Sequence, residues 1–146
     1  MKFKLVTPDR VLADKEVKAA TLPTADGEIT VLPGHALLAS LLVPGIIKLQ
    51  TDSGTEEVAV SGGFINVGPD GTVDVLADTA EQGHELDLAV IEQAKERAKQ
   101  AMKEAIGKDD TAFAMAAAAL ERELSRFKLA MKHKATRHTP TPHGEE

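Results

Sequence analysis

The hydrophobic period of the sequence changes near Glu85, and this change constrains the fold more than any other feature. Before it, short alternating segments are separated by glycine and proline, and nine of the eleven glycines and five of the seven prolines lie before residue 84. Alternation with period two is typical of strands that bury one face. After Glu85, apolar residues recur every three or four positions, as in helices. The chain of 146 residues therefore divides into a β-rich part and a helical part.

The β-rich part is predicted to contain many short strands. Lys2–Val6 alternates, and two pairs of apolar segments flank Asp52-Ser53-Gly54 and Pro69-Asp70-Gly71, which are typical hairpin turns. Residues 35–43 fit either a buried loop or one helical turn. Short strands at this spacing favour an all-β domain, a flattened β-sandwich or barrel of about 8–10 strands.

The helical part is predicted to be an antiparallel hairpin that breaks at Gly107-Lys108-Asp109-Asp110. Gly107 suits a helix C-terminus, and Asp109 or Asp110 can cap the next helix. Apolar residues of the second helix alternate steps of four and three, as in the seam of two packed helices. They are Phe113, Ala117, Leu120, Leu124, Phe127 and Met131.

The interior of this hairpin is mostly alanine, so each residue buries little apolar area. At about 25 cal/mol per Å² of buried apolar area, we expect the packing of the two helices to contribute little stability. Two alternatives follow: a marginal element that can leave the β domain and dock elsewhere, or a permanently packed helical pair. The expected boundaries are a β domain at residues 1–84, a helical domain at 85–135 and a disordered tail at 136–146, where Pro140 and Pro142 lie.

Composition excludes several classes of function. The chain has no cysteine, so disulfides and thiolate metal sites are excluded. Residues 1–84 carry 6 Lys/Arg against 12 Asp/Glu, and an acidic β domain argues against nucleic acid as a partner. No segment approaches the roughly 18–20 apolar residues that span a bilayer, and Met1–Val6 lacks the features of a targeting peptide. We expect a soluble chain without direct membrane insertion.

Three stretches carry a resemblance to a known family. They are Gly27-Glu28-Ile29-Thr30-Val31-Leu32-Pro33-Gly34-His35, Val60-Ser61-Gly62-Gly63-Phe64 and Val73-Asp74-Val75-Leu76-Ala77-Asp78-Thr79-Ala80-Glu81. Their order ahead of an alanine-rich hairpin resembles the epsilon subunit of the bacterial rotary F-type ATP synthase, over about residues 2–134. Thr30 departs from the pattern, because the family usually has a second glycine there.

The resemblance implies a central-stalk subunit that performs no chemistry and requires no cofactor. Its β-sandwich would join the gamma subunit to the c subunits of the membrane rotor ring during proton-driven ATP synthesis. Its helices would either fold onto the sandwich or extend into the alpha/beta catalytic head and inhibit ATP hydrolysis. The implied location is peripheral, on the cytoplasmic face of the bacterial plasma membrane. Glu28 and His35 match family positions that face the rotor ring, although both also fit ordinary roles, in a turn and as a half-buried imidazole.

Some members of that family bind ATP between the two helices, and the resemblance implies a possible regulatory ATP site here. The matching residues are Leu86, Asp87, Arg97, Arg122 and Arg126, whereas the family's Arg-Ala pair is replaced by Val90-Ile91. Folding about residues 108–109 would bring the two arginines of the second helix level with Lys95 and Ile91. Asp87 also fits a helix N-cap, and Glu123 is placed to pair with Arg126.

Other chemistry is weakly indicated. Ser61 lacks a nucleophile-elbow sequence, and Gly62-Gly63 is better explained by backbone freedom between strands than by a phosphate cradle. The spacing of His133, His138 and His143 does not place them on one helix face, which argues against a metal site. The alternative to a motor subunit is a stand-alone nucleotide sensor that uses the helical hairpin as a latch.

Overall fold

Within residues 1–138, which the computed structural model describes with side chains through His133, ten strands precede a 3-10 turn at Gly83–Glu85 and two helices. The strands are β1 (Lys2–Val6), β2 (Val11–Glu16), β3 (Ala19–Thr24), β4 (Gly27–Val31), β5 (Leu38–Leu42), β6 (Gly45–Thr51), β7 (Gly54–Val60), β8 (Gly63–Val67), β9 (Val73–Ala77) and β10 (Ala80–Gln82). The helices are α1 (Leu88–Ala105) and α2 (Asp110–His138).

The strands form one sheet that bends into two facing layers. They pair in the order β10-β7-β6-β3-β5-β8-β9-β1-β2, with β4 added on β3. Strand β3 pairs with β6 through Ala19–Thr21 but meets β5 only at Thr24, so the sheet changes direction along β3. The predicted flattened sandwich is confirmed.

Aliphatic side chains from both layers fill the space between them. Phe3 and Leu5 of β1 are fully buried in the same core cluster as Ile47 and Leu49 of β6, which are also fully buried. Strands β7, β8 and β9 add Val58, Val60, Ile65, Val67, Val73 and Val75. Branched aliphatic residues at alternate positions suit such a two-sided core, because each points inward from a pleated strand.

Side chains close the gap between the two ends of the sheet. Lys15 of β2 lies 2.6 Å from a carboxylate oxygen of Glu56 of β7. Arg10, just before β2, donates to the carbonyl oxygen of Ala80 of β10 at 3.2 Å. These contacts fasten the terminal strands without a backbone ladder between them.

Three strands, β2, β5 and β10, were not predicted from the sequence pattern. Strand β5 lies within residues 35–43, where a loop or helical turn was expected, and pairs along its whole length with β8. Its outward Leu41 is as apolar as its inward Leu42, which hides the alternation.

The helical hairpin forms as predicted at its tip. Gly107 has a φ of +73°, and the Asp109 carboxylate accepts a hydrogen bond from the Ala112 backbone N–H at 3.0 Å. The Lys95 ammonium nitrogen of α1 lies 4.0 Å from the centre of the Phe127 ring of α2, so the two helices are in contact there. Between the helices, Ala98, Ala105 and Ala116 are buried.

The predicted seam of α2 is wrong at two positions, since Leu124 and Met131 are each 45% exposed. Helix α2 packs against both α1 and the sandwich, so its buried arc is rotated to include Glu123, Leu129 and Ala130. The helix continues to His138, which places the first three residues of the expected tail in α2. The remainder of the tail, 139–146, lies outside the described residues.

Candidate functional site

The candidate site is the surface between the sandwich and α2. Helix α2 lies on the outer side of β6 and β7 and against the 3-10 turn. Ala59 of β7, which is not part of the sandwich core, is nevertheless only 2% exposed, while Leu129 and Ala130 of α2 are 4% and 5% exposed. The apolar part of this contact is therefore small and includes two alanines.

Arg126 of α2 is the centre of an ion-pair network, named here the Arg126 cluster, with Glu81 and Glu123. Its Nε and Nη2 donate to the two carboxylate oxygens of Glu81 in β10 at 2.6 and 2.9 Å. Its Nη1 donates to Glu123, one turn earlier, at 2.6 Å. This bidentate geometry is the strong form of such a pair. Burial opposes the charge of Arg126, but the hydrogen bonds to both carboxylates outweigh it and raise its pKa.

Two further contacts fasten the helices to the sandwich. Lys132 of α2 lies 2.8 Å from a carboxylate oxygen of Glu57 in β7. Gly83 of the 3-10 turn lies under His133, and a Cβ built on this glycine would be 3.1 Å from His133 Cβ. A glycine at this position therefore lets α2 approach the backbone of the turn.

The turn itself is tied to the sandwich by Arg10. Its Nη1 lies 2.8 Å from the Glu85 carboxylate, which also accepts from the Gln82 backbone N–H at 2.8 Å. The hydrogen bond from Arg10 lowers the pKa of Glu85, although partial burial acts in the opposite direction.

No helix among the described residues covers the opposite outer face of the sandwich, which carries an apolar row. Leu41 pairs with Phe64, Phe64 with Leu76, and Leu76 lies beside Val6, which pairs with Val11. The exposed fractions of Leu41, Phe64 and Leu76 are 53%, 61% and 54%. Leu41, Phe64, Leu76 and Val11 are exposed and Val6 is half-buried, and an apolar patch of this kind is typical of an interaction surface. We name this set the apolar row.

The two residues expected at the rotor-ring interface lie near opposite ends of one connected segment. Glu28 is exposed on β4 and lines a groove that also reaches α2. His35 is exposed in the loop between β4 and β5, where its Nδ1 lies 2.7 Å from the Ala36 carbonyl oxygen. His35 is therefore not the half-buried imidazole that its sequence context allowed.

The residues expected around a nucleotide are only partly brought together. Asp87 caps α1, accepting from the Ala89 and Val90 backbone N–H groups at 2.9 and 3.4 Å. Leu86 is half-buried at the end of the 3-10 turn, and Arg97 is exposed on α1. Arg122 and Arg126 both lie beside Glu123, but Arg122 Nε is 3.8 Å from that carboxylate and has no hydrogen-bond partner among the described atoms.

Sequence reasoning missed Glu81, Glu57 and Lys132 as contact residues. Glu81 is 45 positions from Arg126, and Lys132 is 75 positions from Glu57, so no local pattern joins them. Of the contacts in this network, the sequence predicted only the pairing of Glu123 with Arg126, because that pairing follows from helical spacing alone.

No three His, Cys, Asp or Glu side chains cluster closely enough to hold a metal ion within the residues described here. His133 packs on Gly83, His138 ends α2, and His143 is outside the described residues. Neither helix, over the part of the chain that the structure describes, has the combined length and hydropathy that a bilayer-spanning segment needs.

Comparisons with known proteins agree on one family. The family model for the β-sandwich domain of the ATP synthase delta/epsilon chain matches residues 1–83. The ATP synthase epsilon chain of Moorella thermoacetica is 39% identical over 131 residues, which cover 89% of this chain and 96% of that protein. The epsilon chain of Syntrophomonas wolfei is 35% identical over 131 residues, with 89% and 93% covered.

A solved structure gives the same result. A chain in the cryo-EM structure of the Euglena gracilis mitochondrial ATP synthase, comprising OSCP, F1 and c-ring in rotational state 1, superimposes with a TM-score of 0.73 at 27% identity. The superposition covers 88% of this chain and 79% of that chain. The likeness therefore extends over the sandwich and the helices together.

Proposed function

The chain belongs to the delta/epsilon family of ATP synthase subunits, and from that premise we propose that it is the epsilon subunit of a bacterial F-type enzyme. In this role it is a non-catalytic part of the central stalk, and it couples the gamma subunit to the rotor ring during proton-driven ATP synthesis. Its helical hairpin restrains ATP hydrolysis when it leaves the sandwich for the alpha/beta head. The subunit is held at the cytoplasmic face of the plasma membrane through the rotor ring.

The observation that carries the proposal is the difference between the two outer faces of the sandwich. One face is covered by α2, whereas the other presents the apolar row, with Phe64 61% exposed. A stalk subunit needs a permanent contact for gamma and a separate place for a mobile element. We assign the apolar row to gamma and the β6–β7 face to the hairpin.

The rotor-ring contact is assigned to Glu28, His35 and the loop around them. Leu32 and Leu37 flank His35 in this loop and are 55% and 68% exposed. Gly34 in this loop has a φ of +86°, a backbone conformation that favours glycine. Exposed apolar side chains beside a histidine and a carboxylate suit a protein contact with a polar rim.

The assignment of an inhibitory, mobile hairpin is supported by the nature of its docking contact. The Arg126 cluster and the Lys132–Glu57 pair are charged, and the apolar contact is confined to small areas around Ala59 and Leu129. The Lys132–Glu57 pair lies near solvent, with the Lys132 side chain 57% exposed, and ion pairs of this kind contribute little and are weakened by salt. A contact of this kind can be exchanged for another partner more readily than a leucine-filled interface.

A disulfide lock tests the inhibitory role. The chain has no cysteine of its own, so Gly83→Cys with His133→Cys creates a single possible pair. The Cβ separation of 3.1 Å needs to widen by a few tenths of an ångström to reach the usual range of about 3.5–4.5 Å. In a reconstituted F1 complex, oxidation should fix the hairpin on the sandwich and raise ATP hydrolysis, and reduction should restore inhibition.

A truncation after residue 84 is the matched control, because it removes the hairpin and keeps the whole sandwich. It should bind gamma normally and show the same raised hydrolysis as the oxidised lock. Inhibition that persists in the locked form, or a truncated chain that fails to join gamma, would contradict the proposal. Recovery of gamma in a pull-down also separates it from the alternative of a stand-alone nucleotide sensor, which should recover none.

Regulatory ATP is a second candidate, favoured by one observation. Arg122 Nε is buried without a hydrogen-bond partner among the described atoms, so a donor is available beside the Arg126 cluster. We expect low affinity, because Arg126 is already bound by two carboxylates, and Val90 replaces a family arginine. Calorimetric titration with magnesium-free ATP tests this: Arg122→Gln should abolish the heat and Glu81→Gln should increase it. Absence of heat at millimolar ATP would exclude the site.

A further inference from the structure

A second groove lies between the sandwich and α2, on a different side of the helix from the Arg126 cluster. It has a volume of about 300 Å³, and its lining includes Glu28, Lys48 and Glu57 of the sandwich and Ser125, Lys128 and Lys132 of α2. Ser125, Lys128 and Lys132 follow the spacing of three and four that places residues on one helix face. Arg122, Arg126 and His133 follow the same spacing on the neighbouring face, so the two sites are separate.

The charges of this groove are not balanced. Glu57 and Lys132 lie 2.8 Å apart and neutralise each other. Lys48 and Lys128 have no carboxylate within ion-pair distance among the described residues, and one approaches from the sandwich and the other from α2. The lining holds three lysines against the carboxylates of Glu28 and Glu57, so its formal charge is +1 in a protein whose formal net charge is −6.

We propose that this groove binds a small phosphate-bearing anion between Lys48 and Lys128. Lysine ammonium groups bind phosphate as point charges, and the Ser125 hydroxyl adds a donor at the same wall. The volume is at the lower end of the usual range for ligand sites, about 300–1,000 Å³, which favours pyrophosphate or the phosphates of a nucleotide over a ligand with a large apolar part. Glu28 also lines the groove and weakens binding by like-charge repulsion.

The site exists only while the hairpin is docked, because its two lysines belong to different domains. An anion that bridges the two lysines therefore stabilises the docked hairpin. The size of the effect is set by the difference in the anion's affinity for the docked and undocked states. This consequence is independent of the proposed role in the motor, since binding can be measured on the isolated chain. A failure to bind would remove this site and leave the motor assignment untouched.

Titration of the full chain with inorganic pyrophosphate, followed by ¹H–¹⁵N NMR, tests the proposal. Saturable shifts are expected at the amides of Lys48, Lys128 and their neighbours, at ionic strength held constant with KCl. Lys48→Gln combined with Lys128→Gln should weaken binding at least roughly tenfold, the factor for losing one charge-assisted contact. Glu28→Gln should strengthen it.

Lys99→Gln combined with Lys103→Gln is the matched control, since it removes two exposed positive charges from α1 near the hairpin tip. It should leave binding within about twofold, a difference below 1 kcal/mol. A parallel titration with ATP distinguishes the source: shifts confined to Lys48 and Lys128 indicate that the phosphates alone are recognised. Shifts that do not saturate, that persist in the Lys48/Lys128 variant or that centre on Arg122 would overturn the proposal.

Discussion

Among single residues, Gly63 shows how tightly the strands of the uncovered face pack. A Cβ on this glycine would lie 1.9 Å from the Leu76 carbonyl oxygen and 2.9 Å from Ala77 Cα. Backbone atoms of a paired strand cannot move aside cheaply. We therefore expect Gly63→Ala to lower the free energy of unfolding by about 1–3 kcal/mol or more, measured by urea denaturation.

The neighbouring Gly62 provides the control for this prediction. A Cβ there would lie 3.4 Å from the Leu42 carbonyl oxygen and 3.8 Å from an Asp78 carboxylate oxygen, which is ordinary contact. Gly62→Ala should stay within about 0.5 kcal/mol of the unchanged chain, as surface substitutions usually do. Neither glycine has a positive φ, so close approach explains Gly63 better than the backbone freedom expected from the sequence. Equal effects of the two substitutions would contradict this explanation.

Glu81 is the residue on which the docked position of α2 most depends. Its carboxylate accepts two hydrogen bonds from Arg126, whose side chain is only 14% exposed. Glu81→Gln leaves this buried guanidinium with one carboxylate instead of two, at a cost of about 1–3 kcal/mol. Amide hydrogen exchange along residues 122–130 of α2 should accelerate accordingly.

Glu121→Gln is the comparison for Glu81→Gln, because this exposed residue of α2 changes the charge by the same amount. Its amide exchange should match that of the unchanged chain. If Glu81→Gln exchanges no faster than Glu121→Gln, the Arg126 cluster does not hold the hairpin.

At the scale of elements, the 3-10 turn between the two domains should loosen in acid. The pKa of Glu85 is lowered below its ordinary value of 4.5, chiefly by the hydrogen bond from Arg10. A carboxyl group whose pKa is lowered by folding stabilises the fold above its unfolded pKa, and this contribution is lost as the pH falls through the folded pKa. We expect the amides of Gln82 and Leu86 to shift and exchange faster below about pH 4.5.

Glu85→Gln separates the effect of this carboxyl group from any other response of the protein to acid. The variant should show the loosened turn already at neutral pH, with little further change on acidification. A turn that responds to acid equally in both proteins would show that another group controls it.

The elements differ in how far the sequence could predict them. The hairpin around Asp52-Ser53-Gly54 and the break at Gly107 were predictable, because the residues that determine them are adjacent in the chain. Strand β5 was not, because its outward Leu41 belongs to the exposed apolar row and so breaks the alternation. Arg126 was predicted as a nucleotide contact, but in the structure its guanidinium donates hydrogen bonds to Glu81, which lies on a strand 45 positions away.

For the whole molecule, the central feature is that the sandwich offers two opposite faces with different kinds of contact. The β6–β7 face holds α2 largely through charged groups, which favours exchange between partners. The other face holds an in-register apolar row, which favours a lasting contact with high buried area. In the proposed function, this division would let the hairpin move while the sandwich remains attached to gamma.

The apolar row therefore predicts how the chain attaches to gamma. Phe64 is 61% exposed and central in the row, so Phe64→Asp should leave the fold intact but place an unpaired charge in the interface. Burying such a charge typically costs several kcal/mol, so the gamma complex should be lost in size-exclusion chromatography, while the thermal midpoint of the isolated chain changes little. Asn66→Asp is the control, since Asn66 is exposed on the same face of β8 but pairs with Ala39 and Asp74 instead of the row. Retention of gamma by the Phe64 variant, or equal loss in both variants, would show that gamma binds a different face.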